Sequence, residues 1–179
     1  MKLFLERLLR AARLDASLYE EVAADAGAMN QALIVVFIYA MAVAFGSFGR
    51  AGTTGINIGM ITTLLGWYVW AFMAYIVGAR ILPEAETKIE RKAVVRAMGF
   101  ASAPGLARLL GFVPGLGTVA VLAASIWMIA AATVALRQAL NFKSTSRALA
   151  VSIISWILGA LVQGLLYVSL FSVFGVSPN

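Results

Sequence analysis

Four long stretches of the chain contain no charged residue, and they constrain the fold more than any other feature. These stretches are residues 26–49, 51–79, 109–136 and 148–179. Because a helix of about 20 apolar residues crosses a bilayer core of about 30 Å, each stretch is long enough to span a membrane. A soluble domain of 179 residues, of which 62% are hydrophobic and 12% are charged, could not bury so much apolar surface. The sequence therefore predicts an all-α membrane protein.

A fifth apolar segment is interrupted by helix breakers. Residues 99–117 read GFASAPGLARLLGFVPGLG and contain two prolines, five glycines and one arginine, Arg108. Pro104 cannot donate a helical hydrogen bond, so we expect it to kink or break the span. Carbonyls freed at membrane depth must bond to protein or water, so we expect this segment to be buried within the bundle. It then either lets helices pack closely or forms the wall of a polar cavity.

The five apolar segments together predict a five-transmembrane-helix bundle over residues 26–179. Its spans are expected at about 29–48, 58–82, 93–112, 118–140 and 148–174, the third being broken by proline and glycine. A polar, glycine-rich loop is expected at 49–57. Thr87 and Glu90 have the spacing of a capping box, which predicts that the third helix starts there. Ser144 or Thr145 is expected to cap the fifth helix.

Residues 1–25 precede the bundle and are predicted to form two short amphipathic helices at the cytoplasmic interface. Leu5, Leu8 and Leu9 recur at helical spacing, and the charged residues of 2–13 fall on other faces. This pattern is typical of a helix that lies in the membrane interface. Asp15 is expected to cap the second helix. The alternative is that both helices pack on a neighbouring loop.

Lysine and arginine are distributed very unevenly between the two sides of this arrangement. Twelve of the fourteen fall on the side of the N-terminus, Arg50 falls on the other side, and Arg108 lies within the third span. The positive-inside rule therefore predicts a cytoplasmic N-terminus and an outside C-terminus, in a cell inner membrane. All eight acids also fall on the cytoplasmic side. We expect this mixed face to contact anionic lipid headgroups, and not nucleic acid.

The candidate intramembrane polar site comprises Arg108, Pro104, Gly105, Gln163 and Ser155. An arginine inside a membrane costs about 2.5–3.5 kcal/mol on insertion scales and marks a functional site by default. Its expected partners are carbonyls freed at 99–101, Gln163 or a lipid phosphate, because no acid occurs at that depth. The alternative is that Arg108 reaches the outer interface and serves no site.

A second group of candidate residues forms a cytoplasmic network of charges for contact with a partner. Exposed ion pairs contribute only about 0–1 kcal/mol each, so we expect the network to position loops or a partner more than to stabilise the fold. Its members are Tyr19, Glu20, Glu21, Glu84, Glu86, Glu90, Arg91, Arg96, Arg137 and Arg147.

The composition argues against enzymatic chemistry. The chain contains no cysteine and no histidine, which excludes disulfides, thiol nucleophiles, thiolate zinc sites and histidine acid–base catalysis. The acids lie at the cytoplasmic edge, and no pair of nucleophile and base is visible. We therefore expect no enzymatic activity, no cofactor and no metal site.

Several segments resemble the Ypt/Rab-interacting (Yip) family of membrane proteins, particularly its bacterial branch. They are LDASLYEEVAAD at 14–25, RAMGFASAPGLARLLGFVPGLG at 96–117, WMIAAATVALRQAL at 127–140 and STSRALAVSIISW at 144–156. The resemblance implies a five-span bundle with a cytoplasmic N-terminus. Eukaryotic members act in vesicle traffic and bind small GTPases and each other. Where those relatives carry an Asp-Leu-Tyr-Gly-Pro element, this chain has SLYEE at 17–21.

These observations favour one function and leave a second open. The favoured function is a membrane adaptor or organising protein of the Yip type, which binds lipid and a membrane or cytoplasmic protein partner, including a second copy of itself. The alternative is a small transporter, channel or lipid-moving protein that uses a polar cavity around Arg108.

Overall fold

The computed structural model describes residues 2–46, 48–87, 90–113 and 115–174, and within these residues the chain is helical without a β-strand. The α-helices are α1 (Lys2–Ala12), α2 (Ala16–Ala24), α3 (Ala28–Gly46), α4 (Phe48–Ile76), α5 (Arg91–Phe100), α6 (Gly117–Ala139) and α7 (Thr145–Phe174). Helix α4 continues as a π-helical turn over Val77–Ile81. A 3-10 helix, called the 3-10 segment below, covers Ala103–Phe112.

Four of the described helices are long and apolar enough to cross a membrane. They are Ala28–Gly46, Gly59–Ile81, Gly117–Ala139 and Thr145–Leu165, with mean hydropathies between 1.6 and 2.3. They correspond to the first, second, fourth and fifth predicted spans. The prediction of an all-helical membrane protein is confirmed at this level.

The third predicted span consists of two shorter pieces. Helix α5 ends at Phe100, and the 3-10 segment begins at Ala103 with Pro104 as its second residue. The lack of an amide hydrogen on Pro104 explains why the α-helix is not continued there. A 3-10 helix rises about 2.0 Å per residue, so the ten residues of this segment cover about 20 Å.

The two pieces of the third segment run along α3 in the same direction as that helix. Gly99 lies against Ala32, and Gly105 lies against Tyr39. At the far end, Gly111 lies against the backbone of Gly46. Contact therefore extends from near the start of α3 to its last residue, and α6 packs on the other side of the 3-10 segment.

The loop predicted at residues 49–57 is wrong, because α4 already begins at Phe48. Helix α3 ends at Gly46, so the chain reverses direction almost at once. Glycine and threonine disfavour a helix by less than about 1 kcal/mol each. Packing of α4 against α3 and α7 outweighs that cost. Further along α4, the Thr63 hydroxyl donates to the Gly59 carbonyl, so a polar side chain is satisfied within the helix.

Helix α2 packs between α5 and α6 and belongs to the same core as the long helices. Its Leu18, Tyr19 and Val22 are fully buried. Arg96 of α5 donates to the carbonyls of Val22 and Ala23 at the end of α2. These carbonyls have no partner within the helix, and a cation there complements the helix dipole. Arg96 thus joins α2 to α5.

Helix α1 packs on the 3-10 segment and α2, and its end lies beside the middle of α6. The Trp127 indole nitrogen donates to the Ala12 carbonyl at 2.9 Å. Trp127 is twelve residues before Ala139, which corresponds to about 18 Å along the helix. The end of α1 therefore lies about 18 Å from the C-terminal end of α6, and not level with it.

Gly46 is the point of closest approach between α3 and the 3-10 segment. A Cβ atom at this position would overlap the backbone carbonyl oxygen of Arg108, which cannot move aside as a flexible side chain can. We expect Gly46→Ala to lower the free energy of unfolding by about 1–3 kcal/mol. Thermal unfolding of the purified chain in a mild detergent measures this.

Gly59→Ala is the matched control for that substitution. A Cβ atom on Gly59, within α4, would meet nothing within 4 Å. Alanine favours a helix over glycine by up to about 1 kcal/mol, so this variant should be neutral or slightly stabilised. Similar unfolding temperatures for the two variants would contradict the packing described for Gly46.

Candidate functional site

A cavity of about 260 Å³ lies between α4, α6 and α7, with side chains of α3 and the 3-10 segment also lining it. It is partly open, and Trp156 and Ala160 of α7 are exposed at its edge. The polar or aromatic side chains in its lining are Tyr39, Thr63, Trp67, Trp70, Arg108, Ser125, Trp156 and Gln163. No carboxylate is among its described lining residues.

The half-buried guanidinium of Arg108 faces α3 and α6. One terminal nitrogen donates to the Ser125 hydroxyl at 2.8 Å, and that hydroxyl donates to the Val121 carbonyl at 2.7 Å. The carbon at the centre of the guanidinium lies 5.7 Å from the centroid of the Tyr39 ring. A cation over an aromatic face gains about 0.5–2 kcal/mol. Within the described part of the chain, Arg108 is therefore held by neutral groups.

The position of Ser125 bears on the alternative that Arg108 reaches the outer interface. Ser125 is eight residues after Gly117, the first residue of α6, which corresponds to about 12 Å along the helix. The guanidinium is bonded at that level and not at the end of the helix. This geometry favours the interpretation of Arg108 as part of an internal site.

Gln163 lines the same cavity as Arg108 but does not bond to it. Its amide nitrogen donates to the Thr62 carbonyl at 2.9 Å. Its side chain occupies the space that a Cβ atom on Gly66 would take. The structure thus brings Gln163 and Arg108 to one cavity, with Gln163 linking α7 to α4.

Ser155, Pro104 and Gly105 are not among the cavity-lining residues. Ser155 is fully buried and donates to the Ser152 carbonyl within α7. Pro104 and Gly105 are also buried, in the 3-10 segment. A Cβ atom on Gly105 would overlap the Tyr39 ring, so this glycine allows the close approach that brings Tyr39 near Arg108.

The carbonyl groups freed by the helix break are not used by Arg108. The Met98 carbonyl accepts a hydrogen bond from the Ser102 hydroxyl at 3.3 Å and from the Trp67 indole at 3.4 Å. The Met98 carbonyl is therefore satisfied by neighbouring side chains, and the Gly99 carbonyl accepts from the Ser102 amide. Arg108 instead bonds to Ser125 and lies over the ring of Tyr39, and neither residue is among the predicted site residues.

The predicted cytoplasmic network is divided into two clusters. The first joins α1 to α2 through Arg7, which is only 6% exposed. Arg7 donates to the Glu21 and Asp25 carboxylates, both at 2.9 Å, and to the Gln31 side chain at 3.1 Å. Of these four residues only Glu21 belongs to the predicted network, because the sequence pattern places Arg7 on a face away from the leucines without indicating a partner for it.

Neighbouring hydrogen bonds hold the acids of this first cluster in the charged form. Bonds from Ser17 and then from Arg10 lower the pKa of Asp15 to about 2. Partial burial opposes ionisation of Glu21, but hydrogen bonds from Arg7 and Arg10 outweigh it and lower the pKa of that carboxyl. The first cluster is therefore fully ionised at neutral pH.

The second cluster joins the loop after α4 to the start of α7. Glu84 accepts hydrogen bonds from the backbone nitrogens of Lys143 and Ser144, and it lies 3.5 Å from Arg147. The Lys143 ammonium donates to Glu86 at 2.7 Å. A carboxylate beside the first turn of a helix is stabilised by the helix dipole. These contacts fix the position of the two loops.

The remaining members of the predicted network lie apart from these clusters. The Tyr19 hydroxyl is buried and donates to the Ala11 carbonyl. Glu90 pairs with Arg96 at 3.2 Å. Glu20 and Arg91 are exposed and Arg137 is half-buried, and none of the three forms an ion pair with another described residue.

This geometry defines a helical membrane protein with several candidate spans and a cavity lined by polar side chains. The family model described as the Yip1 domain matches residues 13–166, and the chain therefore belongs to the Yip1 family. The match starts directly after α1. No curated protein and no solved structure matches the chain significantly.

Glu21 and its neighbour Glu20 allow a matched test of the first cluster. Glu21→Gln weakens two charged hydrogen bonds to arginine, at a site that is 37% exposed, so we expect a loss of about 1–2 kcal/mol of stability. Glu20→Gln removes the same charge from an exposed side chain and should change stability by less than about 0.5 kcal/mol. Amide hydrogen exchange over residues 2–24 should rise only in Glu21→Gln. Equal protection in both variants would show that the cluster does not hold these helices.

Proposed function

We propose that the chain is a five-crossing membrane adaptor or organising protein without enzymatic activity, with its N-terminus in the cytoplasm and its C-terminus outside the inner membrane. In this proposal α5 and the 3-10 segment together make the third crossing. Contact of these two pieces with α3 from Ala32 to Gly46 supports it. The distribution of lysine and arginine supports the orientation.

The observation that carries the proposal is the rotation of α1 about its own axis, which decides which of its side chains face the bundle. The Arg7 side chain points inward and is 6% exposed, whereas Leu5 is 52% exposed and Leu9 is 59% exposed. A helix packed on a water-soluble surface would bury its leucines and expose its arginine. Burial of each leucine in lipid would contribute about 1.5–3 kcal/mol. Lipid is therefore the proposed occupant of the outward leucine face.

The depth of α1 sets the membrane level in this proposal. The stretch of α6 from Gly117 to Trp127 rises about 15 Å. An interfacial helix lies about 5–10 Å below the headgroup surface. Adding this depth to the ~15 Å rise of α6 gives a membrane thickness of about 20–25 Å. This is thinner than a typical core of about 30 Å, a mismatch that costs fractions of a kcal/mol per Å. The start of α5 and the C-terminal end of α6 then lie toward the cytoplasm.

The proposed protein partner binds to this cytoplasmic part. Glu20 and Arg91 are exposed there and form no ion pair with another described residue, so they are available to a partner of complementary charge. Glu21 and Arg96, in contrast, are engaged within the chain. A second copy of this chain meets the same requirement, since Glu20 and Arg91 offer it charges of both signs.

The absence of enzymatic activity in this proposal has two supports. The Yip1 family is not a known enzyme family. The sequence offers no cysteine or histidine, and its acids are confined to residues 6–90. The described lining of the Arg108 cavity has a cation and hydroxyl groups but no carboxylate that could act as a base.

A second function, that of a small transporter, channel or lipid-moving protein, is favoured by the cavity itself. A tightly packed bundle would favour an adaptor alone. The described helices instead enclose about 260 Å³ of partly open space around Arg108. Movement of lipid or solute would require this space to open toward both sides in turn.

The position of α1 can be tested by spin labelling, because the chain contains no cysteine of its own. Labels attached to Leu5→Cys and Leu9→Cys, in full-length protein in bilayers, should collide with oxygen and be shielded from a water-soluble nickel chelate. A label on Glu20→Cys, which is exposed in α2, is the control and should show the reverse. Labels at Leu5 and Leu9 as accessible to nickel as the control would contradict the proposal.

A further inference from the structure

Two buried N–H groups at the cavity have no hydrogen-bond acceptor within the described part of the chain. They are the indole nitrogen of Trp70 and the Nε of Arg108. Trp70 is only 7% exposed, and both residues line the same cavity. Buried donors in native proteins are nearly always satisfied by protein, ligand or water. Both nitrogens are closed to water in this arrangement, so an acceptor that enters the cavity satisfies them only after the two side chains rotate toward it.

The charge of the cavity narrows the nature of this acceptor. A guanidinium stays protonated in proteins and offers five donors in a fixed fork. Its described partners are a serine hydroxyl and an aromatic ring, which are both neutral. The sequence contains no acidic residue after Glu90, so no acidic side chain from residue 91 onward can balance the charge of Arg108.

We propose that the cavity binds an oxyanion of the phosphate or carboxylate class, with the Arg108 guanidinium and, after rotation of its side chain, the Trp70 indole as its donors. A volume of about 260 Å³ is much larger than the ~30 Å³ that one water occupies in the liquid. It is slightly smaller than the ~300–1,000 Å³ of pockets that enclose a drug-sized ligand. A polar lipid headgroup fits this volume. The exposed edge at Trp156 and Ala160 would let the acyl chains of that lipid remain outside the cavity.

The depth of the cavity favours the headgroup of an anionic lipid as the source of this oxyanion, a step that rests on the proposed function of α1. Ser125, which bonds Arg108, and Trp127, which bonds the end of α1, are two residues apart on α6. This separation is about 3 Å along the helix. If α1 lies in the headgroup layer, the cavity opens close to that layer. A free phosphate has the same chemistry and is distinguished in the experiment.

The test uses the purified full-length chain in a neutral detergent. The probes are dihexanoylphosphatidylglycerol, dihexanoylphosphatidylcholine and inorganic phosphate. Three of the four tryptophans, Trp67, Trp70 and Trp156, line the cavity, so intrinsic fluorescence reports its occupation. The increase in unfolding temperature on binding is a second readout.

We expect saturable binding of the phosphatidylglycerol, at least tenfold tighter than that of the zwitterionic lipid. Competition by inorganic phosphate identifies a site for the free anion, and lack of competition identifies a site for the lipid headgroup.

Three variants connect this binding to the two donors. Arg108→Gln should raise the Kd about tenfold or more, since a charged hydrogen bond is lost. Trp70→Phe keeps an aromatic ring but removes the N–H group and should raise the Kd about threefold to tenfold. Arg91→Gln removes an equal charge from an exposed position of α5 and should leave the Kd unchanged. If Arg108→Gln does not fold, Trp70→Phe and Arg108→Lys decide the question.

Two results would overturn the proposal. One is the lack of a saturable response to either anionic probe. The other is equal binding by the unsubstituted chain, Arg108→Gln and Trp70→Phe. Either result would mean that the two donors do not serve a bound anion. The assay in detergent does not depend on the position of α1, so it can fail while the spin-label result at Leu5 and Leu9 stands, and the reverse also holds.

Discussion

The break in the third apolar segment, between Phe100 and Ala103, is the constraint on which the rest of the structure depends. A proline cannot continue the α-helix, and the 3-10 segment that follows is narrow enough to lie close to α3. Glycines at positions 46 and 105 remove the side chains that would prevent this approach. The result is that Arg108 is carried between Tyr39 of α3 and Ser125 of α6. A continuous helix would turn this side chain to a different direction.

The two features proposed to contact lipid lie at nearly the same depth. The outward leucines of α1 belong to a helix whose last carbonyl bonds Trp127, and the Arg108 cavity includes Ser125 one half-turn away. The first cluster of ion pairs turns Arg7 inward and so leaves Leu5 and Leu9 outside. Ion pairs between α1 and α2 thus leave Leu5 and Leu9 exposed, and the same level of the bundle holds a cation that no described residue neutralises.

Much of the helical frame could be predicted from the sequence, because apolar length and caps are local properties. The Asp15 side chain accepts the Ser17 amide hydrogen, and the Ser144 hydroxyl accepts that of Arg147, as expected for two caps. The capping box at Thr87 is wrong, because that hydroxyl accepts from the Glu84 amide and α5 begins later, at Arg91. The partners of Arg108 could not be predicted. A helix that is apolar on all sides has no sequence pattern from which its rotation about its own axis can be predicted. The sequence therefore does not indicate that Ser125 and Trp70 line the site.

Whether α5 and the 3-10 segment together cross the membrane is the central claim, and cysteine accessibility tests it most directly. Ala85→Cys and Leu116→Cys lie at exposed positions on either side of this segment, in a chain with no other cysteine. A membrane-impermeant maleimide is applied to intact cells and to inverted membrane vesicles. The account predicts labelling of Leu116→Cys only in cells and of Ala85→Cys only in inverted vesicles. Labelling of both positions from the same side would contradict the third crossing and reduce the bundle to four spans.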